Sequence, residues 1–86
     1  MDEYTITFSR SARRELERLD PPELNRIFPR IEALSKAPRP RGCVRLHGED
    51  NLWRIRIGDY RIIYSIYDGE RTVDIIAVRH RNEAYR

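Results

Sequence analysis

The sequence predicts an α+β fold: an N-terminal strand, a helical hairpin, then a three-stranded antiparallel meander, forming one small mixed sheet packed on the two helices. Three observations predict it. "YTITF" alternates apolar and polar residues with the two-residue period of a half-buried strand. Residues 12–34 repeat their apolar positions at helical spacing. From Leu52 onward the chain alternates again, around the turn signals Gly58-Asp59 and Asp68-Gly69.

In the first strand, Tyr4, Ile6 and Phe8 oppose Thr5 and Thr7. Ser9 or Ser11 then caps a short helix whose apolar positions are Ala12, Leu16 and Leu19. "DPPE" opens a second helix, with Asp20 at the N-cap, Pro21 at the first helical position and Glu23 placed to reach back. Its stripe is Leu24, Ile27, Phe28, Ile31 and Leu34, and "KAPRPRG" ends it near residue 36. Pro29 removes a backbone hydrogen bond from its interior, so a kink near Phe28 or a late start is expected. Residues 37–50 are rich in Pro, Gly and Arg, with "CVRLHGED" contributing at most a short edge segment, and three strands follow at roughly 52–58, 60–67 and 72–79.

A two-residue II′ loop at Gly58-Asp59 fixes the hairpin register. Ile57 then opposes Tyr60, Arg56 opposes Arg61, Ile55 opposes Ile62 and Trp53 opposes Tyr64. One face collects Trp53, Ile55, Ile57, Tyr60, Ile62, Tyr64 and Ile66, enough to pack on helices; the other collects Arg54, Arg56 and Arg61. Like charges directly across a ladder repel, and such a local conflict marks a functional surface. Continued alternation puts Val73, Ile75 and Ala77 in the core and leaves Asp74, Ile76 and Val78 beside the arginines. Ile63, Ile76 and Val78 thus form an apolar patch that reads as a docking surface for another protein. "VRHRNEAYR" brings Arg79, His80, Arg81 and Tyr85 to the end of the sheet.

Eighty-six residues fit one domain, residues 1–86, with a modest core. Residues 1–36 carry seven basic and seven acidic side chains, so the whole formal charge of +3 lies in residues 37–86. An anionic partner would meet that second half. Sixteen of the seventeen basic residues are arginine, whose planar fork grips phosphate in bidentate fashion. Cationic residues interleaved with aromatic ones suit single-stranded RNA, while neither helix has the uniformly basic face that reading duplex DNA requires. Cys43 is alone and no Cys/His cluster has metal-ligand spacing, so no metal or other cofactor is implied. The absence of a signal sequence or membrane-length apolar run leaves a cytoplasmic, soluble chain with no membrane partner as the expectation.

With these residues in place, the chain resembles the RelE/ParE superfamily of toxins from type II toxin-antitoxin pairs, its RelE branch in particular. The strand, helical hairpin and sheet order, the block "VRLHGEDNLWRIRIGDYRIIYSI" and the closing "VDIIAVRHRNEAYR" carry the likeness over nearly the whole chain. The resemblance implies a RelE-like microbial ribonuclease fold and a toxin that cleaves mRNA in the ribosomal A site, inhibiting translation. It implies silencing by a cognate antitoxin laid over the sheet, the antitoxin docking on Ile63, Ile76 and Val78 and linking the pair indirectly to operator DNA. Motif by motif, the family's two central-strand basic residues fall on Arg54 and Arg56, the arginine after the hairpin on Arg61, the arginine near the end of the last strand on Arg81 and the terminal tyrosine on Tyr85. Arg61, Arg81 and Tyr85 are then the catalytic candidates, and Arg54 and Arg56, with Arg45 and His80 added from this chain's own pattern, the RNA-binding ones. Relatives can carry lysine where this chain has Arg54 and Arg56, and arginine does not release a proton. Proton abstraction would then fall to Tyr85, to His80 or to the cationic field alone. The chemistry implied is metal-independent attack of a ribose 2′-hydroxyl on its neighbouring phosphate. Two other readings share the fold: a ParE-like DNA gyrase inhibitor that acts by binding, and an inactive relative that binds its antitoxin.

Overall fold

The alternation in "TITF" forms β1 (Thr5–Phe8), with Ile6 and Phe8 turned inward, and the computed structural model describes residues 3–48 and 51–81 in all. Ser9 stops the strand and caps α1 (Arg10–Glu17): its Oγ accepts the Ala12 N–H at 3.0 Å. Ala12 and Leu16 are the buried stripe of that helix. Asp20 is the N-cap of α2 (Pro21–Glu32) without a side-chain capping bond, and a 3₁₀ turn over Ala33–Ser35 extends the helix to Leu34. The helix begins at Pro21 and runs through Pro29, so the start is not delayed. Asn25, whose carbonyl the Pro29 ring leaves without an amide donor, is exposed, as Pro29 is, and water can take the place of the lost bond.

Among the described residues five strands form the sheet, one more than the strand-plus-meander count, in the order β1-β5-β4-β3-β2. The addition is β2 (Val44–Arg45), a two-residue edge piece antiparallel to β3 (Trp53–Ile57). β3 pairs antiparallel with β4 (Tyr60–Tyr67) in the register set by the Gly58-Asp59 loop: Ile57 on Tyr60, Arg56 on Arg61, Ile55 on Ile62, Arg54 on Ile63 and Trp53 on Tyr64. Gly58 has φ +59° while Asp59 stays at negative φ, the signature of the II′ loop. β5 (Thr72–His80) lies between β4 and β1, antiparallel to the first and parallel to the second.

The helices cover one face. Ile27, Ile31 and Leu34 with Ala12 and Leu16 meet Ile55, Ile57, Ile62, Tyr64, Ile66, Val73, Ile75 and Val78 in a single apolar cluster.

Val78 was expected on the opposite face, beside the arginines. Tyr64 opposes Ile75, but the next residue, Ile63, opposes Ala77, so Ile76 is an extra residue in β5. This bulge swaps the parity of everything after it. Val78 turns into the core opposite Ile62, and Ala77 takes the outer face opposite Ile63. The β1–α1 junction holds the bulge: Ser9 N–H donates to the Ile75 carbonyl at 2.8 Å and Ser9 Oγ–H to the Ile76 carbonyl at 2.7 Å.

Candidate functional site: the uncovered face of the sheet

Among the described residues no helix lies over the other face, and its side chains run in rows across the strands. One row is Arg56 on β3, Arg61 on β4 and Arg79 on β5, each directly opposite the next. Directly opposed residues in an antiparallel ladder stand about 5 Å apart, so three cationic stems fall within roughly 10 Å. The adjacent row is Val44, Arg54, Ile63 and Ala77, beside the half-buried Ile76. A third row is polar: Ser65 opposes Asp74, which accepts the Thr7 hydroxyl at 2.6 Å.

The electrostatics show the crowding. Partial burial, and then the charges of Arg61 and Arg56, hold the proton affinity of Arg54 below the ordinary guanidinium value. At the far end of the row Arg79 Nε lies 3.0 Å from Glu15 Oε2, while the other carboxylate oxygen of Glu15 accepts the Val78 N–H at 2.7 Å. Glu15 comes from α1 and fills the β5 edge where β1 has ended.

Arg81 continues the ladder one residue past β5, donating its backbone N–H to the Asp59 carbonyl at 2.6 Å, and its side chain is exposed. It therefore stands at the open end of the β4–β5 ribbon, beside the II′ loop. Of the residues expected at the site, the structure brings Arg54, Arg56 and Arg61 together and places Ile63 and Ile76 alongside them. Two of the expected residues stand elsewhere in the fold. Arg45 opposes Trp53, so it projects from the helix-side face and is separated from Arg54 by the sheet. His80 lies within β5 opposite Tyr60 and meets that ring edge-on at 5.1 Å, again on the side of Val78 and the core. There it borders a hollow of about 130 Å³ with Glu23, Arg26 and Asp59, away from the arginine rows. Tyr85 lies outside the described residues.

Sequence reasoning missed the place of Arg79 in the row and the role of Glu15. Plain alternation turns Arg79 toward the helices, and only the bulge at Ile76 brings it opposite Arg61. Among the described residues no group of three His, Cys, Asp or Glu side chains could hold a metal, and no helix is long and apolar enough to cross a membrane.

Comparison with known proteins agrees with this architecture. The toxin RelG of Mycobacterium tuberculosis is 34% identical over 84 residues, covering 96% of this chain and 97% of the relative. The toxin-antitoxin complex RelBE2 from the same organism contains a chain that superposes with a TM-score of 0.81 at 36% identity, covering 92% of this chain and 99% of that one. The archaeal RelE-RelB complex from Pyrococcus horikoshii gives the same TM-score at 26% identity, with 92% and 96% covered. The family model described as the ParE toxin of type II toxin-antitoxin system, parDE, matches residues 6–85. This chain therefore belongs to the ParE toxin family of type II toxin-antitoxin systems, and within it is a RelE-like toxin.

Proposed function

We propose that the chain is a ribosome-dependent endoribonuclease that cuts mRNA in the A site and so stops translation. The observation that carries this reading is the row Arg56–Arg61–Arg79 with Arg54 beside it: like charges lined up directly across three strands. Such a row opposes folding by electrostatic repulsion and is relieved by a polyanion lying over it. The face bears both cationic and apolar groups, which suits a single strand whose phosphates and bases are both within reach.

The reaction is attack of the ribose 2′-oxygen on the adjacent phosphorus. The new 2′-O–P bond forms as the P–O5′ bond breaks, leaving a 2′,3′-cyclic phosphate and a 5′-hydroxyl. Arg54 and Arg56 bind and orient the backbone. Arg61 and Arg81 stabilise the charge that builds on the non-bridging oxygens, the usual work of preorganised donors. The 2′-hydroxyl proton is relayed through the Tyr85 hydroxyl or passes to water under the cationic field, and the departing 5′-oxygen takes up a proton from water; His80 stands on the helix side of the sheet. The ribosome supplies the alignment of substrate that so few acid/base groups cannot.

The partner that silences the toxin is an antitoxin, as in the RelE-RelB complexes that this chain resembles. Ile63 and Ile76 offer it an apolar strip beside the arginines, so a segment with apolar and acidic side chains covers both rows; operator DNA is reached only through that antitoxin. Expressing the wild-type chain, Arg61→Ala and Arg81→Ala and mapping transcript ends tests the proposal. Wild type should arrest growth and cut transcripts inside codons, and both variants should do neither. Full toxicity in both variants overturns it, as does arrest with DNA breaks and intact transcripts, the outcome of gyrase inhibition.

A further inference from the structure

We propose that Arg79 is a further RNA-phosphate contact on this face and that Glu15 is the residue that positions it. This rests on the RNA-cutting reading above and adds a third strand to its binding surface.

The bulge at Ile76 is the first support. It brings Arg79 opposite Arg61, on the face where Arg56 already stands, instead of leaving it among the helices. The second support is the way Arg79 is held. β1 pairs β5 only as far as Ile75, and beyond that point the edge of β5 depends on other partners. Glu15 reaches it from α1 with both oxygens used: one takes the Val78 N–H at 2.7 Å, the other Arg79 Nε at 3.0 Å. A carboxylate fixed by a backbone amide is a stationary anchor, so the long arginine side chain is oriented before any ligand arrives. The guanidinium nonetheless remains accessible, with the Arg79 side chain 46% exposed.

Charge supplies the third. The register sets the guanidinium stems of Arg56, Arg61 and Arg79 side by side, and an anion is the complement of such a row. Arginine suits that anion being a phosphate, which accepts two parallel N–H bonds from the fork. The phosphate can belong to the mRNA or to ribosomal RNA, and the experiment separates the two.

Arg79→Ala, Arg79→Lys, Glu15→Gln and the Glu15→Gln/Arg79→Ala double variant would be compared with wild type in single-turnover mRNA cleavage on programmed ribosomes. Arg79→Ala should raise the half-saturating ribosome concentration about three- to tenfold, as for one partly exposed charge-assisted contact, and raise it more than it lowers the saturated rate. The log–log salt slope of binding should become shallower by roughly 0.7, one single-strand phosphate contact. Arg79→Lys, which keeps the charge, should recover part of the loss. Glu15→Gln keeps an oxygen for the Val78 N–H, so its smaller rise should vanish in the Arg79→Ala background. Weaker binding of Arg79→Ala to ribosomes without mRNA assigns the phosphate to ribosomal RNA; weakening only on programmed ribosomes assigns it to the mRNA. Unchanged half-saturation and salt slope in Arg79→Ala, with Arg61→Ala inactive, overturn this inference alone. Wild-type cleavage by Arg61→Ala overturns the reading beneath it.

Discussion

If the arginine rows exist for a ligand, then removing one of them should make the free protein more stable. Arg56 is the clearest place to ask. It is exposed, it opposes Arg61 across the β3–β4 ladder, and Arg54 lies two residues along the same face. The first neighbour is about 5 Å away at the backbone and the second about 7 Å. Two unit charges about 8 Å apart in a water-like dielectric repel by about 0.5 kcal/mol, so two such neighbours together give about 1 kcal/mol at low ionic strength. Arg56→Gln keeps the length and hydrogen-bonding capacity of the side chain and removes the charge. It should stabilise the chain by about 0.5–1 kcal/mol, which for a domain of this size is a rise of about 3–6 °C in Tm. In 1 M salt the screening length is about 3 Å, shorter than either separation, so most of the gain should disappear. Thermal unfolding followed by circular dichroism at low and high salt reads both quantities. A lower or unchanged Tm at low salt, or a gain that salt does not touch, would refute the view that these arginines strain the folded chain.

Two further outcomes follow from the frame that holds the face. Ser9→Ala removes both the α1 cap and the bond to the Ile76 carbonyl, and should lower stability by about 1–2 kcal/mol in urea unfolding. Asp68 should shape the acid limb of stability: two bonds from Arg39, at 2.8 and 3.2 Å, and the Tyr4 hydroxyl at 2.6 Å hold its carboxyl down to about 2. Its folded pKa lies below the ordinary 3.8, so this contribution is present above about pH 4 and lost as pH falls toward 2. Asp68→Asn should flatten that segment of a urea-midpoint profile.

The β3–β4 hairpin was legible because one feature, a glycine-led two-residue loop, sets the pairing of every residue on both sides of it. Trp53, Tyr60 and Tyr64 accordingly pack on or within the core as the alternation requires, with Tyr64 fully buried. The upper half of β5 was not legible. Ile75, Ile76, Ala77 and Val78 form an unbroken apolar run with no period to reveal an extra residue, and what stabilises the bulge is distant in sequence: Ser9 and Glu15. That one residue misplaced Val78 and hid the position of Arg79. A similar limit applies to Arg45, whose face is decided by a two-residue strand too short to carry a pattern. The second reversal also differs in detail, since the left-handed residue is Arg71 at φ +49° and not Gly69. Glycine marks where a turn is permitted; the backbone hydrogen bonds from Glu70 to Tyr67 and from Arg71 to Asp68 decide where the positive φ falls.

The measurement that bears most directly on the arginine face as a cutting surface is the single-turnover rate of mRNA cleavage on saturating programmed ribosomes, wild type against Arg61→Ala. Loss of one preorganised donor to the phosphate should slow the variant about 100- to 1000-fold. Equal rates at saturation would contradict the account, since the central guanidinium of the row would then have no role in the chemistry.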